Sequence, residues 1–521
     1  MDIKKLAEQA AIECASAETT AHHGGSMGRG FWNAESIQFM YVPAFQFAPI
    51  PECRGYLYEA VDERGDVHAF EGKTSHELLT PIWKDIPEGV VQLRVTGLSK
   101  DGSAQYPVGA RTFFRAAPFS GVAPSPACSY RECVERAFDY LMQQESVRHW
   151  YEQGTPDPHY DLNIYPSKMV SALVLALLAY ADRCPDKSQI AIATAERAAD
   201  FVLSITPGKD ECLGGLPPTY YLDYCPDPDE YGINTNNWQQ AVQRCDTTMM
   251  IYPASMGEAY IALEKYTGKQ KYLDAALTIG EYYLNHVESN GTWYAVRSVK
   301  TGEAVYPQYV VPNDHIIDFL TGLYERTKDN KWRRLADGAI AYLENSVLRD
   351  YCWEGQFEDT NLFYNYANLT HFSADTLIKY YCRYYPNDEK KMAVADELMR
   401  FVEDQFVVWN RPAPWNDSHY DTSLWHTPAG LEQYVWHVPI DGSTVGIALT
   451  FYAMYRAGRG ELHLAKALAL ADQVTVMQHA DGKIPTHWMN CQRAEDNFWL
   501  NCMCFSMLGM SRLSEIDENR N

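Results

Sequence analysis

The sequence predicts a mainly helical protein, an (α/α)6 barrel preceded by a small antiparallel β-sandwich. Three observations carry that expectation. Apolar helices begin at Pro166, Pro253, Pro312, Phe372, Pro439 and Phe498, in steps of 87, 59, 60, 67 and 59 residues. Most are followed by a second, more polar helix, as in Lys269–His286, Lys331–Val347, Glu389–Val407 and Glu461–His479. The region before them instead shows short runs of alternating polarity separated by turn residues.

Taken in order, residues 1–30 open with an amphipathic helical start at Met1-Asp2-Ile3-Lys4-Lys5-Leu6 that has no apolar signal core. Residues 31–120 form the expected sandwich. Its strand candidates are Ser36–Val42, Gly55–Val61 and Val90–Leu98, and turns are marked by Pro49-Ile50-Pro51, Asp62–Asp66 and Lys100-Asp101-Gly102. The Pro, Gly and Ser content of 117–126 marks a linker, and 121–521 supplies the barrel. Proline suits a first helical turn, where its missing N–H has no partner to lose. Hairpins with an apolar first helix and an amphipathic second fit an inner ring buried all round and an outer ring with one wet face. A solenoid of ~34-residue repeats has too short a period to compete.

Composition narrows the function. Against 44 Lys and Arg stand 68 Asp and Glu, a formal net charge of −24 without a basic block, which argues against a nucleic-acid partner. A mean hydropathy of −0.36 and the lack of a ~20-residue apolar run argue against a membrane span. Thirteen scattered cysteines form no disulfide framework or zinc knuckle, so reduced thiols, a cytoplasmic setting and no metal or cofactor are expected. Aromatic residues make up 13% of the chain, with 36 Tyr and 13 Trp; such rings stack on sugars and also build large cores.

In a helical barrel the inner helices aim their N-termini at one end, so the segments leading into them line one cavity. Those segments are dense in carboxylates, His, Asn, Tyr and Trp: His159-Tyr160-Asp161, Asn236-Asn237-Trp238, Arg244–Thr248, Gln308–His315, Trp353–Asp359, Asn368–His371, Glu432–Asp441, His487-Trp488 and Asp496–Asn501. A pit of rings and paired acids is carbohydrate chemistry. Capping explains Asp246, Asp314 and Asp441 equally well, since each stands at or near a helix start. It explains Glu358-Asp359 less well. A lone His371 more commonly satisfies a buried polar group.

Several of these runs carry a family resemblance. Arg244–Pro253, Gly291-Thr292-Trp293 with Lys300–Glu303, Trp353–Asp359, Val438–Asp441 and Asp481–Thr486 resemble the six-hairpin glycosidases, and among them glycoside hydrolase family 154, the β-glucuronidases. The resemblance spans nearly the whole chain after the first ~30 residues and is shared with unsaturated glucuronyl hydrolases, polysaccharide lyases and sugar 2-epimerases. It implies removal of a terminal uronic acid from an oligosaccharide or glycoside by two carboxylates. Glu358 and Asp246 are the expected pair, with Asp314 and Asp441 in reserve and Asp359 orienting Glu358. Arg244, His371 and His487 are the candidates for the sugar carboxylate. Trp353, Trp436 and Trp499 are stacking platforms, and Glu432 is a further sugar contact. A lyase, a cofactor-free epimerase and a non-catalytic sugar-binding protein stay open beside it, as does a homodimer.

Overall fold

The computed structural model describes residues 1–18, 36–101, 105–225, 227–233, 235–350, 369–415, 422–434, 436–489 and 498–518, and at 235, 236, 350, 436, 517 and 518 the backbone alone. The first helix, α1 (Ile3–Ser16), is capped by Asp2, whose carboxylate accepts from the Lys5 N–H. It buries Leu6, Ala10 and Cys14, which i, i+4 spacing places on one face.

The strand-rich segment forms one five-stranded sheet: β1 (Gln38–Phe39), β2 (Cys53–Val61), β3 (Val67–Gly72), β4 (Gly89–Ser99) and β5 (Gln105–Arg115), in the order β1-β5-β4-β2-β3. Every pair is antiparallel except β1 with β5. The expected sandwich is therefore corrected, among the described residues, to a single sheet. Alternation reports one buried face and is blind to what covers it. Here the cover includes Phe45 and Trp83, whose rings pack on Phe113.

Twelve further elements matter for the site. Six inner helices, α3 (Pro166–Arg183), α5 (Tyr252–Thr267), α7 (Asp314–Thr327), α9 (Phe372–Tyr384), α11 (Asp441–Arg456) and α13 (Leu500–Glu518), pack each on the next, and α13 returns to α3. Outside them lie α4 (Ser188–Ile205), α6 (Gln270–Asn285), α8 (Asn330–Tyr342), α10 (Glu389–Phe406) and α12 (Glu461–Met477), each against the inner helix that precedes it. The outer partner of α13 is α2 (Tyr130–Leu141), so the sixth pair joins the two ends of the barrel sequence. The fold is thus mainly helical and an (α/α)6 ring, as the spacing of apolar helices predicts. Pro166 and Pro253 occupy the first turns of α3 and α5. Inner helices approach closely at glycines: a Cβ on Gly257 would lie 2.4 Å from the Phe319 ring, and one on Gly509 only 2.0 Å from Val445.

The sheet is fastened to the barrel by a buried polar joint at the end of α10. The Tyr41 N–H donates to Asp404 Oδ1 at 2.9 Å, and the Gln38 amide to the Asp404 carbonyl at 2.9 Å. Glu403 accepts from the Tyr41 hydroxyl at 2.8 Å and the Trp409 indole at 2.8 Å, and pairs with Lys466 at 2.6 Å. Both charged side chains of that pair are 2% exposed. Removing one member of such a pair strands the other, which costs far more than the pair itself contributes. Lys466→Met is therefore expected to destabilise the chain by about 3–5 kcal/mol. Chemical denaturation checks this, and a loss below about 1 kcal/mol would mean that Glu403 is satisfied without Lys466.

Candidate functional site

Because every inner helix starts at the same end, six N-termini open on one cavity of about 870 Å³. Its upper wall is built by the segments that lead into the helices. Tyr160 and Asp161 precede α3, and the Asn237 amide donates to Asp161 Oδ2 at 3.1 Å. The strand Ala429–Gln433, paired with the strand Trp436–Pro439, carries Glu432 and Gln433 to the rim. His487 reaches the rim because its segment pairs with the chain leading into α11: Ile440 bridges His487, and the Asp441 N–H donates to the Thr486 carbonyl at 2.9 Å. Trp499 meets the His487 ring edge-on, with centroids 4.9 Å apart. The start of α13 is held by the Tyr160 hydroxyl, which accepts from the Leu500 N–H at 2.9 Å.

Deeper in, the inner helices supply charge from turns that are otherwise apolar. Asp314 and Asp318 stand one turn apart on α7, Asp375 and Lys379 one turn apart on α9, and Glu258, Lys168 and Arg512 come from α5, α3 and α13. Lys379 bonds to Asp314 Oδ2, and the Thr376 hydroxyl donates to Oδ1 of the same carboxylate. Burial pushes Asp314 upward, but Lys379 and Thr376 outweigh it and hold the carboxyl below its ordinary value, ionised. Glu258 goes the other way. Burial, reinforced by the negative charge of Asp318 and only partly opposed by Arg512, raises it to about 8. Burial and Asp314 raise Asp318 as well. The His315 ring is held neutral, lowered to about 4 by burial. One cavity therefore holds a carboxyl that keeps its proton at neutral pH beside a carboxylate that does not.

The expected site residues separate into four groups. Asp314, Glu432, His487 and Trp499 line the cavity. Asp441 and His371 lie just behind its wall. Asp441 is fully buried, raised to about 8 by burial against the pull of the Ser506 hydroxyl, which donates to Oδ2 at 2.8 Å. His371 is fully buried too, and its Nδ1 lies 2.7 Å from Oδ2 of Asp375, which does line the cavity. Asp246 and Arg244 are not brought there. Asp246 sits at the foot of β6 (Thr247–Met249), its side chain 61% exposed and paired with Lys300 beyond the Val296–Ser298 strand. Neither residue belongs to the cavity lining, so the Glu358–Asp246 pair is not assembled there. Trp353, Glu358 and Asp359 lie outside the described residues, and of Trp436 only the backbone is described.

Sequence reasoning missed Glu258, Asp318, Asp375, Lys379, Lys168 and Arg512. The signal was present: each is a charge set among apolar residues of an inner helix, and Asp314 with Asp318 and Asp375 with Lys379 stand at i, i+4. Attention to the loops passed over them.

No protein-family model matches the chain, and no curated protein shows significant similarity to it. In fold the chain is similar to a D-mannose isomerase, with a TM-score of 0.54 at 11% identity, covering 74% of this chain and 97% of that one. It is also similar to the cellobiose 2-epimerase of Spirochaeta thermophila, with a TM-score of 0.50 at 10% identity over 75% and 98% of the two chains. A family 76 glycoside hydrolase from a bovine Bacteroides thetaiotaomicron strain matches with a TM-score of 0.47 at 9% identity, over 91% and 99%. The first two share the fold of the ring described above.

The raised Glu258 makes stability depend on pH. Its folded value of about 8 exceeds the ordinary 4.5, so between those limits the folded chain binds more protons than the unfolded one. The resulting stability is present below about pH 4.5 and is lost as pH rises through about 8. Glu258→Gln is expected to remove part of that slope, the rest staying with the other raised carboxyls, Asp318, Asp404 and Asp441. The variant should melt with the parent at pH 5 and about 1–3 °C above it at pH 8.5. Parallel melting curves at both pH values would show that Glu258 is not raised.

Proposed function

We propose that the chain is a glycoside hydrolase that removes a terminal uronic acid, such as a β-glucuronide, from an oligosaccharide or glycoside. The observation that carries this reading is the pairing, in one cavity, of protonated Glu258 with ionised Asp314. Glu258 donates its proton to the glycosidic oxygen as the bond to the anomeric carbon breaks. Asp314, kept ionised by Lys379, takes a proton from the attacking water or itself attacks the anomeric carbon. Rings at the rim, Tyr160 and Trp499 among them, offer faces for the sugar. Lys168, His487 and the six helix N-termini provide the local positive potential that a uronate needs against the −24 of the whole chain.

A second reading is a cofactor-free sugar isomerase or epimerase. It is favoured by the neutral His315 in the cavity wall, a base able to take a proton from carbon next to a carbonyl. The two solved proteins of the same fold named above, a D-mannose isomerase and a cellobiose 2-epimerase, carry such activities by name.

The test is a panel of p-nitrophenyl sugars given to the purified chain, with ultraviolet absorbance on uronate polymers and deuterium uptake from solvent followed in parallel. The β-glucuronide is expected to release nitrophenol, and Glu258→Gln and Asp314→Asn to lower kcat by about 10²–10⁴-fold. Asp246→Asn should stay within about twofold of the parent, as a surface exchange does. Near-normal turnover by Glu258→Gln would remove it as the acid. Deuterium uptake without bond cleavage would move the chain to the isomerases.

A further inference from the structure

A second cavity lies beneath the first, between α7 and α9, and the proposed reaction makes no use of it. It holds about 200 Å³ and is bounded by Lys379, Arg383 and Arg512, the rings of Tyr380 and Tyr384, and the apolar side chains of Ile317 and Leu449. Lys379, Arg512 and the two α7 aspartates form the partition between the cavities, since they line both.

The charge in this lower cavity is unlike that of the molecule around it. Asp314, one of its two acids, is already taken by Lys379 and Thr376. The other, Asp318, is raised by burial and by Asp314. Against them stand three cations, in a chain whose formal charge is −24. Two of the cations keep donors to spare. Arg383 is fixed from two sides, by an ion pair with Glu325 through one terminal nitrogen and by the face of Tyr384, 5.2 Å from its guanidinium carbon. That leaves the other edge of its fork unspent. Arg512 is exposed and makes no ion pair among the described residues.

We infer that the lower cavity is a binding site for a small tetrahedral oxyanion, a phosphate either free or carried on an ester. A guanidinium fork matches two oxygens of such a group at once. A water occupies about 30 Å³ of liquid, so the cavity has room for about six waters, or one oxyanion with a few. At 0.15 M salt the charges of the rest of the chain are screened beyond about 8 Å, so the local excess of cations decides.

The test is calorimetric titration of the full chain with inorganic phosphate in low-chloride buffer, and separately with a hexose phosphate. Saturable one-to-one binding of inorganic phosphate is expected, weakened at least about tenfold in Arg512→Gln and abolished in the Arg383→Gln/Arg512→Gln double variant. Circular dichroism and melting curves establish that both variants fold. Asp246→Asn, at a residue that lines neither cavity, should bind phosphate within about twofold of the parent. Tighter binding of the hexose phosphate would name an ester as the source of the anion, and equal or weaker binding would name the free ion; both support the site. No saturable heat with either probe, unchanged binding in the double variant, or loss of binding in Asp246→Asn would each overturn the assignment. None of these readouts depends on the hydrolase reading, so the two stand or fall separately.

Discussion

The return of α13 to α3 is the contact on which the rest of the structure depends. Five of the six hairpins are local in sequence, but the sixth joins α2, near the start of the barrel, to α13 at its end. Until that closure forms, the inner helices have one apolar face with no partner, and the cavity has no sixth wall. The entropy of closing so long a loop rises only slowly with its length, so one well-packed interface can offset it. The fit at Gly509, where any side chain would strike Val445, shows how tightly α13 seats against α11. The Tyr160 hydroxyl on the Leu500 N–H ties the same helix to the segment before α3.

Closure also sets the electrostatics. Charged groups carried on apolar helices are removed from bulk water, and they persist only by neutralising one another. Asp314 finds Lys379 and Thr376, while burial makes Glu258 keep its proton and raises Asp318. Opposite protonation states a few side chains apart are what acid–base work on a glycosidic bond requires. The same arrangement divides the barrel interior into an upper cavity rich in acids and rings and a lower one with an excess of cations.

How much of this was legible in the sequence varied with the range of the interaction. Helix starts at Pro166 and Tyr252-Pro253, and the turn at Gly268 in its left-handed conformation (φ 66°), follow from local backbone chemistry and were readable. Of the segments leading into the inner helices, those carrying Asp314, Glu432, His487 and Trp499 line the cavity. Asp246 was misplaced because a carboxylate beside a helix start looks the same whether its chain turns inward or, as here, towards Lys300 in solvent. The sheet was misread as a sandwich because alternation is a property of one face.

By itself, then, the sequence determined the helical class, the six-fold recurrence and the end of the barrel at which polar residues gather, since each depends on periodicity and helix-start chemistry within a few turns. Only the tertiary structure decided which charges share a cavity, which of them keep a proton, and what covers the sheet. Those outcomes turn on distances between helices up to several hundred residues apart and on the dielectric that their packing creates, and neither quantity is written in any local stretch of chain.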